Sequence, residues 1–127
     1  MRMIRPADSG ENKGHYSAGV LSNGMLYISG QLSIDPITRA LPEGGIEEQA
    51  RLALANVDRV LKEAGLGREC VVQCRIYVTD LGHWEAVNRV YAEFFGAHKP
   101  ARAVVPVAAL HYGCLVEIEA VAEAAAR

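Results

Sequence analysis

Cys114-Leu115-Val116-Glu117-Ile118-Glu119-Ala120-Val121 decides how this chain folds. Cys114, Val116, Ile118 and Ala120 form one wholly apolar face, and Leu115, Glu117, Glu119 and Val121 form the other. That period of two marks a β-strand whose apolar face meets a helical layer. The second face sets two carboxylates between apolar neighbours. A charge placed there is costly unless it is paired, hydrogen-bonded or turned toward a polar cleft.

The preceding stretch, Ala101-Arg102-Ala103-Val104-Val105-Pro106-Val107, also reads as a strand, with Arg102, Val104 and Pro106 on one face. If these strands pair through the turn at Ala108–Gly113, Arg102 and Glu117 meet on the sheet face away from the helices. Arginine holds two carboxylate oxygens in its planar fork and never loses its charge. Glutamate moves protons or orients a water when burial raises its pKa. From residue types alone two readings stand: an Arg102–Glu117 bridge that stitches strands or subunits, or a functional site.

Further upstream, Tyr16–Leu21 and Met25–Ser33 read as strands joined by Ser22-Asn23-Gly24, because Asn-Gly supplies the positive φ angles of a tight hairpin turn. Residues 1–13 are polar and read as an irregular arm. Asp35-Pro36 and Pro42-Glu43-Gly44-Gly45 mark turns. Ile46, Ala50, Ala53, Val57, Val60/Leu61 and Ala64 recur at helical spacing, and Gly65 and Gly67 stop that helix. Val71–Val78 alternates as a strand. Asp80 caps a second helix over about Leu81–Phe95, with Trp84, Val87, Val90/Tyr91 and Phe94 as its apolar stripe. The alanine-rich end, residues 122–127, reads as a fraying tail.

The order β-β-α-β-α-β-β predicts an α+β fold: one domain, a single mixed sheet of about five strands, two helices on one face. The other face, carrying Tyr16, Arg102, Glu117 and many apolar residues, lacks a cover, which points to a homo-oligomer. The 127 residues are enough to bury a core. A net charge of −2 with no basic block argues against a dedicated nucleic-acid binder. The N-terminus lacks the apolar run of a secretion signal, and no stretch has the length of a membrane span. The three cysteines, Cys70, Cys74 and Cys114, suit a reducing cytosol better than a disulfide framework.

Other chemistry-bearing residues are fewer. Tyr16 offers a hydroxyl to a ligand or is an ordinary strand tyrosine. In Ser29-Gly30-Gln31 the glycine marks either a bulge or a close approach of ligand or backbone. Trp84 reads first as core or interface packing. His15, His83, His98 and His111 show no metal spacing; His98 reads as a favourable charge at a helix end. No phosphate loop, serine elbow or Cys/His nucleophile pattern is present.

The stretches Pro100-Ala101-Arg102-Ala103-Val104-Val105, Ala109-Leu110 and Val116-Glu117-Ile118-Glu119-Ala120 closely resemble the signature of the RidA/YjgF family of reactive-intermediate deaminases. Gly14-His15-Tyr16-Ser17, Ile28-Ser29-Gly30-Gln31, the run Val57–Gly65 and the run Val87–Phe95 are similar to its other landmarks. The resemblance spans about Gly14 to Ala122. It implies a chorismate-mutase-like protomer and a homotrimer with a cleft at each subunit interface. It implies cofactor-free, metal-free hydrolysis of 2-imino and 2-enamino acids, such as 2-iminobutanoate and 2-aminoacrylate, to 2-keto acids and ammonia.

Carried over by position, Arg102 clamps the substrate carboxylate, Glu117 activates a water, and Tyr16 lines the cleft. Gly30, with Ser29 beside it, and Val104 contact the ligand, and Trp84 walls the pocket, from a neighbouring subunit. Val104 stands where many members have cysteine, which excludes a thiol role but not a backbone contact. His15 and His111-Tyr112 also depart from the common pattern, at the rim. Alternatives are a non-catalytic keto-acid binder or sensor, a 2-aminomuconate-type deaminase, and a ribonuclease or chaperone-like activity.

Overall fold

The computed structural model describes residues 1–10 and 14–124. Its elements run β1 (Arg2–Ile4), β2 (Gly19–Ser22), β3 (Met25–Leu32), α1 (Ile46–Glu63), β4 (Val71–Val78), α2 (Trp84–Phe95), β5 (Ala101–Pro106) and β6 (Val116–Glu123). They form one mixed six-stranded sheet in the order β1-β2-β3-β6-β4-β5. Only the β4–β5 pair is parallel.

The periodicities translate directly into burial. Val116, Ile118 and Ala120 of β6 meet Cys74, Ile76 and Val78 of β4 beneath both helices. Ala50, Ala53, Leu54, Val57, Val60 and Leu61 supply α1's face of that core, and Val87, Val90, Tyr91 and Phe95 supply α2's. Leu54, Leu61, Ile76 and Ile118 are fully buried, and burying a side chain of this size stabilises the fold by roughly 1.5–3 kcal/mol. The helices end at Gly65 and Gly96, both at positive φ (77° and 61°). The β2–β3 turn carries Asn23 at φ 51° and Gly24 at φ 74°, as the Asn-Gly signal requires.

Two buried amides on α1 fasten the loops around the future site. Gln49 Oε1 accepts from Ser33 Oγ and from the Leu115 backbone N–H, each at 2.8 Å. Asn56 Nδ2 donates to the carbonyls of Leu32 (3.0 Å) and Ile34 (2.9 Å). The exit of β3 and the entry to β6 are therefore held by one helix face.

Several expectations need correction. The sheet has six strands, because Arg2–Ile4 within the expected irregular arm pairs with β2. Buried Ile4 (2 % exposed) explains why that short segment docks. Ala122 and Glu123, expected at the start of a fraying tail, lie in β6, while 125–127 fall outside the described residues. β2 starts at Gly19, leaving Tyr16 in the preceding bend. Asp80 caps a short 3-10 turn, Leu81–His83, by accepting from Gly82 N–H at 2.8 Å; α2 begins only at Trp84. Trp84 is 41 % exposed and outside the core.

The largest correction concerns strand pairing. β5 and β6 do not pair through the Ala108–Gly113 segment, because β4 lies between them. Arg102 is level with Cys74, and Cys74 with Ala120, both on the helix face. Glu117 is level with Tyr77, one position out of phase with that row. Side chains alternate along a strand and stay in phase across a ladder. Arg102 therefore projects under α2 and Glu117 projects from the opposite face.

Candidate functional site

The site begins with a register slip. Between Ile28 and Gln31, β3 carries one more residue than β6, which pairs Ile28 with Ala120 and Gln31 with Ile118. This bulge places Gly30 directly against the Glu117 carboxylate. A Cβ built on Gly30 lies 2.6 Å from Glu117 Oε2, well inside van der Waals contact. The glycine thus marks both alternatives posed by the sequence, a bulge and a close approach. The neighbouring Ser29 stabilises the bulge: its N–H donates to Ala18 O (2.9 Å) and its Oγ to Ser17 O (2.7 Å).

Glu117 and Glu119 of β6 have different surroundings. Glu119 accepts a hydrogen bond from the Tyr77 hydroxyl and lies 3.9 Å from Arg75. Glu117 has no hydrogen-bond or ion-pair partner among the described residues. Burial raises its pKa above the ordinary carboxylate value; the charge of His111 opposes that rise and the Glu119 carboxylate adds to it.

Gly30 opens onto a cleft of about 370 Å³. Tyr16 and His111 line it with Gly30, as do Asn56 and Arg59 of α1. Tyr16 is half exposed there. Glu117, Arg102, Val104, Trp84 and Ser29 are not on this lining; Glu117 adjoins it through its contact with Gly30.

Arg102 heads a second cluster at the far edge of the sheet. Its Nη1 donates to Asn88 Oδ1 at 2.8 Å. The guanidinium carbon stands 4.9 Å from the Tyr91 ring centroid and 6.0 Å from that of Trp84, distances at which a cation is attracted to a ring face. Arg102 makes no ion pair among the described residues, so no Arg102–Glu117 bridge exists within the protomer. Val104, level with Ile76, packs against the core on β5. β5 is an edge strand, leaving outward backbone groups without a sheet partner.

The structure therefore holds two clusters: Tyr16, Gly30 and His111 at the cleft, with Glu117 against Gly30, and Arg102 beside Trp84, Asn88 and Tyr91 of α2. The sequence reading overlooked Asn88 as a contact of Arg102. Its signal was its place four residues after Trp84 and three before Tyr91, on one helix face. Among the described residues no group of three or more His, Cys, Asp or Glu side chains is placed to hold a metal ion. No helix there is long and apolar enough to cross a membrane. His98, expected as a helix-end charge, hydrogen-bonds the Val71 carbonyl at 2.7 Å and so ties the exit of α2 to the start of β4.

Comparison with known proteins agrees with this architecture. The profile of the family described as Endoribonuclease L-PSP matches residues 8–124. The 2-iminobutanoate/2-iminopropanoate deaminase of Capra hircus is 43% identical over 121 residues, 95% of this chain and 88% of that protein. The structure of the Escherichia coli YjgF gene product superposes with a TM-score of 0.90 at 34% identity, covering 97% of this chain and 98% of that one. Escherichia coli TdcF, solved with bound serine, superposes with a TM-score of 0.91 at 33% identity, covering 98% of this chain and all (100%) of that one. With a profile match over nearly its whole length and relatives of this identity, the chain belongs to the Endoribonuclease L-PSP family, that of the RidA and YjgF proteins.

Proposed function

We propose that this protein hydrolyses small 2-imino acids, and the 2-enamino acids that tautomerise to them, to 2-keto acids and ammonia. The observation that carries the reading is the Glu117 carboxylate: unpaired among the described residues, partly desolvated, and seated against Gly30, which itself lines a cleft. The deaminase name of a relative 43% identical over 95% of the chain supports it.

The overall reaction is R–C(=NH)–COO⁻ + H₂O → R–CO–COO⁻ + NH₃. Arg102 holds the substrate carboxylate in its fork. Glu117 takes a proton from the attacking water as the new C–O bond forms at C2. It passes that proton to the imine nitrogen, which gives a carbinolamine; it then takes the carbinolamine hydroxyl proton and delivers it to the amino group, so that the C–N bond breaks and NH₃ leaves as the carbonyl forms. A carboxyl with a raised pKa suits both steps, since it neither holds nor releases its proton too firmly. The Tyr16 hydroxyl and backbone groups at Gly30 and Val104 orient water and substrate. Trp84 walls the carboxylate end, and Ser29 acts through the bulge it ties down. Positioning of an already electrophilic imine can supply several kcal/mol, on the order of the effective-molarity advantage of a bound pair.

Arg102 and Glu117 lie on opposite faces of one sheet, so a complete site takes Arg102 from one subunit and Glu117 from another. A homotrimer with a cleft at each interface meets that need and covers the open sheet face. The substrate site then lies between subunits, without a cofactor. Ribonuclease activity fits less well: the net charge is −2, and the sequence has no basic block of the kind that tracks a phosphate backbone.

The test mixes purified protein with 2-iminobutanoate generated in situ from an amino acid and follows keto acid and ammonia. Release faster than in buffer is expected, and Arg102→Ala should abolish the gain. Wild-type protein no better than buffer would sink the reading.

A further inference from the structure

Arg102 does not project freely from its strand; α2 dictates its direction. Trp84, Asn88 and Tyr91 stand at i, i+4 and i+7 of that helix, a single stripe one above another. The guanidinium lies against this stripe. Two aromatic rings border it, at 4.9 Å and 6.0 Å, and Asn88 Oδ1 accepts from Nη1 at 2.8 Å. Tyr91 is itself fixed: the residue is buried, and its hydroxyl, without a conventional hydrogen-bond partner, faces the Cys74 thiol of β4.

A ring restrains a guanidinium's distance but only loosely its rotation about the Cδ–Nε axis. Asn88 supplies the missing restraint, because a hydrogen bond to one terminal nitrogen fixes the plane of the fork. A planar ion with five N–H donors then presents its remaining edge in one direction. Asn88 also accepts without adding charge. An acid in its place would neutralise the cation that must attract a substrate carboxylate. The remaining cationic edge of Arg102 has no anionic partner among the described residues.

We infer that Asn88 is a positioning residue for ligand recognition: it orients the Arg102 guanidinium so that its free edge receives the carboxylate of a 2-keto or 2-imino acid. This rests on the deaminase reading above for the ligand class, and it adds a residue and a mode of action to that reading.

The experiment measures 2-ketobutyrate binding by calorimetry and turnover of in situ 2-iminobutanoate, on the intact oligomer, for wild type, Asn88→Ala, Arg102→Lys and the double variant. Position 88 is half-buried on a helix, and alanine is the stronger helix former, so Asn88→Ala should fold; its melting temperature is recorded alongside. Binding by Asn88→Ala is expected to weaken about tenfold, the scale of losing a hydrogen bond to a charged group. KM rises by a similar factor while kcat changes much less. In the Arg102→Lys background, which lacks a fork to orient, the same substitution should change binding less than about twofold.

Wild-type binding and turnover with an unchanged Asn88→Ala would overturn the positioning role alone. So would an equal penalty in both backgrounds, since Asn88 would then act elsewhere than on Arg102. A wild type that neither binds 2-ketobutyrate nor turns over the imine would overturn the functional reading and this inference together. If Asn88→Ala melts well below wild type, Asn88→Ser serves in its place, with the same expected contrast between backgrounds.

Discussion

The Glu117 carboxylate occupies the space where residue 30 would carry a side chain: a Cβ on Gly30 falls 2.6 Å from Oε2. Gly30→Ala must push the carboxylate aside or open the β3 bulge. It is expected to destabilise the fold by about 1–3 kcal/mol, as overpacking does. Displacing a catalytic group by about 1 Å can cost about 10²-fold, so kcat/KM should fall by at least that much. Urea unfolding and steady-state kinetics measure the two effects. Activity within twofold of wild type would mean that the position of this carboxylate does not matter.

The raised pKa of Glu117 gives a signed pH dependence. Its ordinary value is 4.5, and burial shifts the folded value upward. A carboxyl with a raised folded pKa stabilises most below its unfolded pKa. That contribution is lost as pH climbs through the folded value. Glu117→Gln should therefore gain stability relative to wild type between acid and neutral pH, as chemical denaturation at a series of pH values will show.

Catalysis runs the other way, because the water-activating form is ionised. The acid limb of kcat/KM should sit above pH 4.5, and Glu117→Gln should lose about 10²–10⁴-fold. An unchanged profile in the Gln variant would remove Glu117 from the chemistry.

Because Arg102 and Glu117 project from opposite sheet faces, two inactive variants should rescue one another. Mixing unfolded Arg102→Ala and Glu117→Gln chains and refolding them together builds some interfaces with both intact residues. Random assembly gives about a quarter of all sites in working order, whatever the ring size. Activity no greater than that of the separately refolded variants would argue that each site belongs to one chain.

Gln49 links Ser33 and Leu115 through a single buried oxygen. Gln49→Leu keeps the bulk but leaves two donors unsatisfied. Each costs about 1–3 kcal/mol when buried. A lower urea midpoint is expected, together with faster amide exchange at Leu115. An unchanged midpoint would show that these contacts are not limiting.

Burial raises the Cys74 thiol to about 11, and Cys70 and Cys114 are buried too. Alkylation by iodoacetamide at pH 8 should therefore be slow in the folded protein and fast in urea, because the thiolate is the nucleophile. Mass spectrometry of tryptic peptides resolves the three positions.

Much of the fold is legible in local pattern. Val71–Val78 has the predicted bounds, α1 starts at the predicted Ile46, and the Asn23-Gly24 turn has the required angles. Strand order was not legible, because pairing is a non-local choice. Alternation shows that Arg102 and Val104 share a face, but not that β4 lies between β5 and β6. The face of Arg102 was misjudged for the same reason: a charge in a strand suggests the open side. Only the aromatic and amide stripe of α2 explains how it is accommodated beneath a helix. The Gly30–Glu117 contact joins residues 87 positions apart (117 − 30) through a one-residue bulge. The glycine hinted at a close approach, and the partner became visible only in three dimensions.

The placement of β4 gives the two clusters unequal assembly costs. Trp84, Asn88, Tyr91 and Arg102 all belong to the contiguous β4–α2–β5 segment, residues 71–106. Glu117 meets Gly30 only when β6 zips onto β3, joining Glu123 to Met25 across most of the chain. Ring-closure entropy grows with the length enclosed, and distant pairings slow folding. The arginine cradle is thus the inexpensive, early-forming module of this protein. The Glu117–Gly30 contact is the late one, closed only once β6 has been made and has travelled back to pair with β3.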